Sequence, residues 1–507
     1  MNANLYALLE ANFPQDKDAC CIETHDGHFY SWRDLERATA KIANLLASLK
    51  LPPDARIAVQ VEKSPEALFL YLATLSAGYT YLPLNPAYRA AELEYFIGDA
   101  EPAVVVCAPK NFGWVAQIAF KAGTRHVFTL DEPQHGRNSG SLLARAAHQP
   151  DRFEPVARRP DDLAAILYTS GTTGRSKGAM LSHHNLAANA QVLREYWQWQ
   201  PGDVLLHALP LFHVHGLFVA SNGALLNGSK MIFLPKFDAA QVIRQLPRAT
   251  IFMGVPTYYV RLLADAAFTR ATCANIRLFV SGSAPLLTDT FNQFIERTGH
   301  TILERYGMSE TNMLTSNPYD GARRGGTVGL PLPGVSVRVV DPATAAPCAP
   351  QQPGAVQVKG PNVFRGYWRM PEKTAEEFTA DGYFRTGDVG QWDADGYLSI
   401  VGRSKDLIIS GGYNVYPKEI ELVLDDLDGV LESAVIGVPH ADYGEAVTAV
   451  VIARPGANLT AAQIIGALKG KIAGFKVPKH VFFEEQLPRN TMGKVQKNLL
   501  RERYRNA

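Results

Sequence analysis

Residues 168–178, Tyr-Thr-Ser-Gly-Thr-Thr-Gly-Arg-Ser-Lys-Gly, set three glycines, a run of hydroxyl residues and two cations directly behind the apolar run 163–167. Gly171, Gly174 and Gly178 can bend the backbone without a Cβ penalty and turn N–H groups toward an anion. Thr169, Ser170, Thr172 and Thr173 add hydroxyl donors, while Arg175 and Lys177 add charge. Together these groups suit a phosphate. The spacing differs from G-x-x-x-x-G-K-[ST], because Gly174 comes three residues after Gly171 and Gly178 follows the lysine. A Ser/Thr/Gly-rich stretch is ordinarily a solvated connection. The ordered alternation of glycine, hydroxyl and cation after an apolar run argues instead for a strand that feeds a phosphate-gripping loop.

Such a loop needs a sheet to hold it. Short apolar or β-branched runs at 55–61, 103–107, 231–234 and 278–280 read as buried strands. Residues 64–78 between them read as a helix, with Pro65 suited to a first turn and Gly78 to a C-terminal stop. The alternation predicts an α/β chain with parallel sheets covered by helices. From about residue 325 the pattern changes to Gly/Pro-punctuated strands, 335–340 and 355–359, which predicts a smaller β-rich part. A boundary is expected at 402–406, dividing a body of residues 1–403 from a unit of residues 404–507. In the second unit the pattern predicts helices at 417–424 and 461–472 and strands at 432–437 and 446–452.

At 507 residues the chain exceeds what one core can organise. A net charge of +1 with 20% charged residues lacks the basic excess of a nucleic-acid binder, so no nucleic-acid partner is expected. The five cysteines are odd in number and lack C-x-x-C spacing, which fits a reducing compartment better than a disulfide framework or a zinc site. The N-terminus has neither the basic start nor the long apolar stretch of a secretion signal, and the C-terminus is no peroxisomal address. No window reaches the ~18 apolar residues that span a bilayer. A cytoplasmic location without membrane association is the expectation.

With its phosphate loop, the chain resembles the adenylate-forming enzymes, which comprise acyl- and aryl-CoA synthetases, nonribosomal peptide adenylation domains and beetle luciferases. The resemblance runs in order along nearly the whole chain. It implies a large N-terminal domain of two helix-covered sheets with a small β-barrel-like part, then a mobile, smaller C-terminal α/β domain. It also implies ATP, Mg²⁺ and coenzyme A. A carboxylate is a poor electrophile, and converting it to an acyl-adenylate requires two anions to meet while pyrophosphate leaves, which demands cations and backbone donors in one place.

Within residues 305–311, Tyr306, Gly307, Met308 and Thr311 are implied to contact the nucleotide, and Glu310 to coordinate Mg²⁺ together with Thr172. Asp388, in 383–388, is implied at the ribose hydroxyls, and Arg403 at the same sugar. Lys494 is implied to reach across from the small domain and bridge carboxylate and phosphate oxygens. Lys494 must be inserted for adenylation and withdrawn for a thiol to approach, so the resemblance implies a rotation, with Lys405 at the hinge. Gly411 and Gly412 are implied along the pantetheine tunnel. The chain ends at Ala507 without a carrier domain, which favours free coenzyme A over a tethered carrier.

The acid pocket is expected from residues 209–216, 253–261 and 280–285. Arg261 and Arg305 would suit a substrate that keeps a second carboxylate after the first is activated, because charge-assisted hydrogen bonds are strong. His213 is implied beside the acyl group, with His207 and His215 structural. Residues 251–259, 281–287, 304–313 and 316–321 are similar to those of bacterial malonyl-CoA synthetases, which implies malonate, or methylmalonate given room for a methyl group. A ligase for oxalate or a monocarboxylate, and a non-catalytic adenylate-binding relative, are the alternatives. No stable protein partner is expected, and the chain would act as a monomer or weak homodimer.

Overall fold

The apolar runs assemble into four sheets. The computed structural model describes residues 2–131, 140–169, 176–410, 413–440, 443–469, 471–490 and 493–505. Six strands form the first sheet, in the order His126–Thr129, Val104–Cys107, Arg56–Gln60, Thr80–Pro83, Leu163–Thr169, Lys177–Ser182. All are parallel except the last, which pairs antiparallel with Leu163–Thr169. Nine strands form the second sheet, whose centre is the parallel set Ile302–Met308, Leu278–Ser281, Ile251–Gly254, Val204–His207, Lys230–Phe233 and Cys20–Thr24. Antiparallel strands close both ends, Phe29–Ser31 on one side and Asn312–Ser316 with Leu330–Pro331 on the other. The sheets are therefore mixed; Phe29–Ser31 and Asn312–Ser316 each return after a turn of three or four residues, too short for a parallel crossover.

Helix Pro65–Ser76 explains how the two sheets share one core. Ser64 caps it by accepting from the Ala67 N–H at 3.1 Å, Pro65 occupies its first turn, and all 12 of its residues are buried. A helix that is apolar all round has to be interior. Its neighbour Trp32–Ser48 begins with a capping box between Ser31 and Asp34 and turns a single apolar face inward.

The β-rich part is a four-stranded antiparallel meander, Ser336–Val340, Gly354–Lys359, Phe384–Trp392 and Leu398–Arg403. A one-turn 3₁₀ segment, Ser404–Asp406, then leads to Ile408–Ser410 in the fourth sheet. There the edge strand Val430–His440 and the central strand Gly444–Ala453 form the longest pair, with helices Pro417–Asp425 and Ala461–Lys469 against the sheet. This last unit has apolar clusters of its own, including Ile420, Leu424, Val435 and Ile464. It meets the body where Arg454 pairs with Asp289 at 3.3 Å and Gly493 lies against Thr257.

Candidate active site

Strand pairing brings the ends of the glycine-rich segment together. Thr169 and Lys177 are register partners, and Tyr95 donates to the Ser176 carbonyl at 2.6 Å. Tyr168 is held by a hydrogen bond to Asp99. Ser170, Gly171, Thr172, Thr173, Gly174 and Arg175 lie outside the described residues. Gly178 sits in the strand rather than in the loop, and its role is clearance. A Cβ there would come within 2.9 Å of Ile166 and 3.2 Å of Trp368.

Facing these strand ends is the hairpin made by Ile302–Met308 and Asn312–Ser316. A Cβ on Gly307 would lie 2.0 Å from the Asn312 carbonyl, so only glycine lets the two arms approach. Glu310 on its tip is buried and accepts from the Tyr367 hydroxyl at 3.1 Å. Lys177 stands 4.3 Å over the Tyr367 ring and 3.5 Å from Glu377. Burial raises the Glu310 carboxyl above its ordinary range, opposed by its hydrogen bonds and by Arg403 and Lys177. A cation at this carboxylate would restore its ionised form.

On the meander, Asp388 joins two sequence-distant groups. Its carboxylate accepts from Tyr306 Oη at 2.5 Å and from Arg403 Nε at 2.8 Å while the residue itself is buried. Lys494 approaches the same cluster from the C-terminal unit, on a tight turn in which the Asn490 N–H donates to the Lys494 carbonyl and Asn490 Oδ1 accepts from the Lys494 N–H, both at 2.9 Å. Its side chain keeps access to solvent in the cleft, yet the surrounding protein and the repulsion of Arg403 hold its ammonium below the ordinary lysine range, against the pull of Asp388 and Asp406. Lys405, in the connecting 3₁₀ turn, is pushed down to about 8 by desolvation first, then by Arg403 and more weakly by Lys494. Three cations thus converge on a region with two aspartates, an arrangement suited to a polyanion.

A second group of candidate residues is built on a π-helix, His215–Ser221. In its first turn a Cβ on Gly216 would sit 2.0 Å from the Pro210 carbonyl, so only glycine lets that carbonyl approach. His215 Nδ1 lies 3.4 Å from Ser283 Oγ, and Ser283 itself holds a left-handed φ of 73°. Arg305 is 3% exposed and lies over Gly282, where a Cβ would be 2.4 Å from its guanidinium carbon. Its Nε and Nη2 have no partner among the described residues. Burial lowers it to about 9, with Tyr259 and Glu304 opposing. Burial, and then Arg305, keep His215 neutral, and burial alone brings His213 down to about 4.

Two family models match the chain, the AMP-binding enzyme model over residues 9–368 and the AMP-binding enzyme C-terminal domain over residues 419–494. The chain belongs to the AMP-binding enzyme family. Its sequence is 35% identical to a malonate–CoA ligase of Arabidopsis thaliana, covering 100% of this chain and 90% of that protein. The crystal structure of ATP-bound MatB from Rhodopseudomonas palustris matches with a TM-score of 0.96 at 55% identity, covering 100% and 99% of the two chains. The apo form of the same protein matches with a TM-score of 0.86.

Within this AMP-binding enzyme the sequence-derived residues divide into three groups. Lys177 and Glu310 meet at Tyr367; Tyr306, Asp388, Arg403 and Lys494 form one charged cluster with Gly307 and Met308 in the adjoining hairpin; and His213 and Arg305 lie near His215. Thr311 joins none of these sets. Its side chain is fully buried, accepting from the Met308 N–H at 3.2 Å and donating to the Asn312 carbonyl at 3.1 Å. Ser309, half-buried beside Glu310, is the accessible hydroxyl of that turn. Arg261 is exposed near the end of helix Pro256–Leu263, one turn beyond Thr257, and is not joined to Arg305 by any contact. His215, expected to be structural, lies with the candidate residues, beside Ser283 and within the influence of Arg305. Neither Ser309 nor His215 is distinguishable from its neighbours by spacing, because burial and a partner 68 residues away decide their roles. Gly411 and Gly412 lie outside the described residues.

Proposed function

We propose that this enzyme is an AMP-forming acid–thiol ligase that joins malonate to coenzyme A, with methylmalonate a second substrate where a methyl group fits. In the first step a malonate carboxylate oxygen attacks the α-phosphorus of ATP, forming malonyl-AMP and releasing pyrophosphate. In the second the coenzyme A sulfur attacks the acyl carbon, AMP leaves with its phosphate oxygen, and the thiol proton passes to solvent. The observation that carries the diacid reading is Arg305, a buried guanidinium with unpaired donors beside His215 and Ser283. A carboxylate that survives the first step would pair those donors, and a monocarboxylate would leave them unpaired. Arg261, at the exposed rim one turn from Thr257, would draw the dianion in rather than hold it.

On the nucleotide side, Lys177 and the loop at 169–174 are assigned to the phosphates, with Ser309 replacing Thr311 as the hydroxyl of the hairpin turn. Tyr306, Asp388 and Arg403 hold the ribose. Lys494 carries no proton in the reaction and serves as a fixed positive charge between the two anions, whose repulsion it offsets. Glu310, a single buried carboxylate, fits a hard divalent cation that arrives on ATP phosphates, with Thr172 as a hydroxyl ligand. Magnesium bound there would neutralise charge on the departing pyrophosphate.

For the second step we assign Lys405 as the pivot between residues 1–403 and 404–507, with Gly411 and Gly412 bordering the thiol's path. The higher TM-score to the ATP-bound relative than to its apo form supports a reading of this arrangement as the adenylating one. All five cysteines are free thiols, in keeping with a cytoplasmic setting, and no helix among the described residues is long and apolar enough to cross a membrane. Pyrophosphate release measured with acetate, oxalate, malonate, methylmalonate and butyrate tests the assignment. Malonate should give the highest kcat/KM, and a preference for butyrate would overturn the diacid reading.

A further inference from the structure

One buried ionisable network lies behind the acid pocket and takes no part in the chemistry above. Lys63 follows strand Arg56–Gln60 of the six-stranded sheet, yet its ammonium crosses to the nine-stranded sheet. It is 7% exposed and donates to the His207 carbonyl at 2.8 Å. Its Nζ is also 2.9 Å from His207 Nδ1 and 4.2 Å from the centre of the Phe233 ring. His207 Nε2 lies 2.9 Å from the Gly216 carbonyl and 3.0 Å from Ser221 Oγ, and Ser221 Oγ donates to the same carbonyl at 2.9 Å. A carbonyl can only accept, so Nε2 must carry the proton. Nδ1 then bears the lone pair, and Lys63 is its donor. Every polar contact in the chain has one direction, running from Lys63 through His207 to the first turn of the π-helix.

We propose that Lys63 and His207 are positioning residues, forming an internal clamp that fixes the π-helix 215–221 in the register that sets His215 against Ser283 and Arg305, and thereby determines which acid the enzyme prefers. Volume alone does not explain the pair. Apolar side chains would fill the same space without the desolvation cost of a buried lysine, and buried polar networks are best attested as devices that select one geometry. The π-helix is the element that needs such selection, because its hydrogen bonds compete with those of an ordinary α-helix over the same residues. A slip to α-helical register would rotate His215 away from Ser283. Without an imidazole on the Gly216 carbonyl and a lysine to fix its tautomer, only the Ser221 hydroxyl would remain on that carbonyl to distinguish the two registers.

The inference rests on the acid site assigned above, and its test separates the two. Lys63→Met, His207→Leu and His207→Gln are assayed by pyrophosphate release for malonate, butyrate and ATP, alongside thermal melting. Lys63→Met and His207→Leu should each raise the malonate KM on the order of tenfold, leave the ATP KM within about twofold, and narrow the preference among acids. His207→Gln, whose amide can still donate to the Gly216 carbonyl, should recover most of the preference. Should Lys63→Met fail to fold, Ser221→Ala should move the acid preference in the same direction by a smaller factor. A lowered melting temperature with an unchanged ratio of acid to ATP KM would overturn the clamp. If the unsubstituted enzyme prefers butyrate, the malonate assignment fails, while the clamp still stands or falls on whether that preference shifts in the variants.

Discussion

Arg305→Met isolates the diacid reading, because the same substitution should improve the protein as a fold and damage it as an enzyme. Arg305 is 3% exposed and leaves Nε and Nη2 unpaired. An unsatisfied buried donor costs about 1–3 kcal/mol, more when charged. Methionine fills a similar volume with no donor to satisfy. Against this stands the lost attraction between Arg305 and Glu304, which is small because burial holds Glu304 largely protonated, at about 8. The variant without ligand should therefore be more stable by about 1–2 kcal/mol, seen as a rise of roughly 1–4 °C in the midpoint of the transition that contains the nine-stranded sheet.

The enzymatic effect has the opposite sign. Each charge-assisted hydrogen bond to the retained carboxylate is worth about 1.5–3 kcal/mol, so losing one lowers kcat/KM for malonate by roughly 10- to 150-fold. Butyrate has no second carboxylate, and its kcat/KM should stay the same or rise as the pocket becomes apolar. Differential scanning fluorimetry without substrate and pyrophosphate release across the acids supply both readouts. Equal losses with malonate and butyrate would refute the reasoning, because they would make Arg305 a structural residue. So would a fall in the midpoint, since it would mean that the guanidinium is already satisfied in the free enzyme.

Three further substitutions address other parts of the site. Lys494→Ala should lower adenylation at least 100-fold, by the scale on which a single preorganised charge contributes, while supplied malonyl-AMP and coenzyme A still give product; equal loss of both half-reactions, followed separately, would contradict the role. Lys405→Pro should leave malonyl-AMP formation near its original rate and slow thioester formation in a single-turnover assay, and unchanged thioester formation would reject the pivot. Glu304→Gln should flatten the dependence of stability on pH: burial lets the folded protein hold the Glu304 proton up to about 8 against the ordinary 4.5, so the original chain loses stability as pH rises between those values and the variant loses less. Above pH 8 the variant should denature at higher urea than the original chain, and the two should converge below pH 4.5 apart from any constant offset.

How far the sequence discloses this site depends on whether a residue's role is written in its neighbours or in a distant partner. Strands, helix caps and the strand-to-loop junction at 168–178 follow from local pattern, and the strand at 56–60 and the helix at 65–76 lie within a residue or two of their expected bounds. The antiparallel strand Lys177–Ser182 hides in the sequence because its first residues serve the loop composition, so Gly178 looks like a bend although the structure needs it for clearance against Ile166 and Trp368. The sequence reading chose Thr311 and passed over Ser309, because what separates them is the direction in which a two-residue step in a tight hairpin points the hydroxyl. Arg261 and Arg305 are equally arginine in the chain; what separates them is that strand Ile302–Met308 buries one over Gly282 while a helix end exposes the other. Lys63 is the extreme case. It follows a glutamate in a solvent-like stretch, and its contact with His207 spans 144 residues and two sheets. The groups legible from sequence are those assigned here to the nucleotide, because a glycine-rich loop or a hairpin tip carries its own geometry. The groups we assign to the choice of acid touch through packing between separate elements, and for that reason they become visible only when the two sheets are assembled.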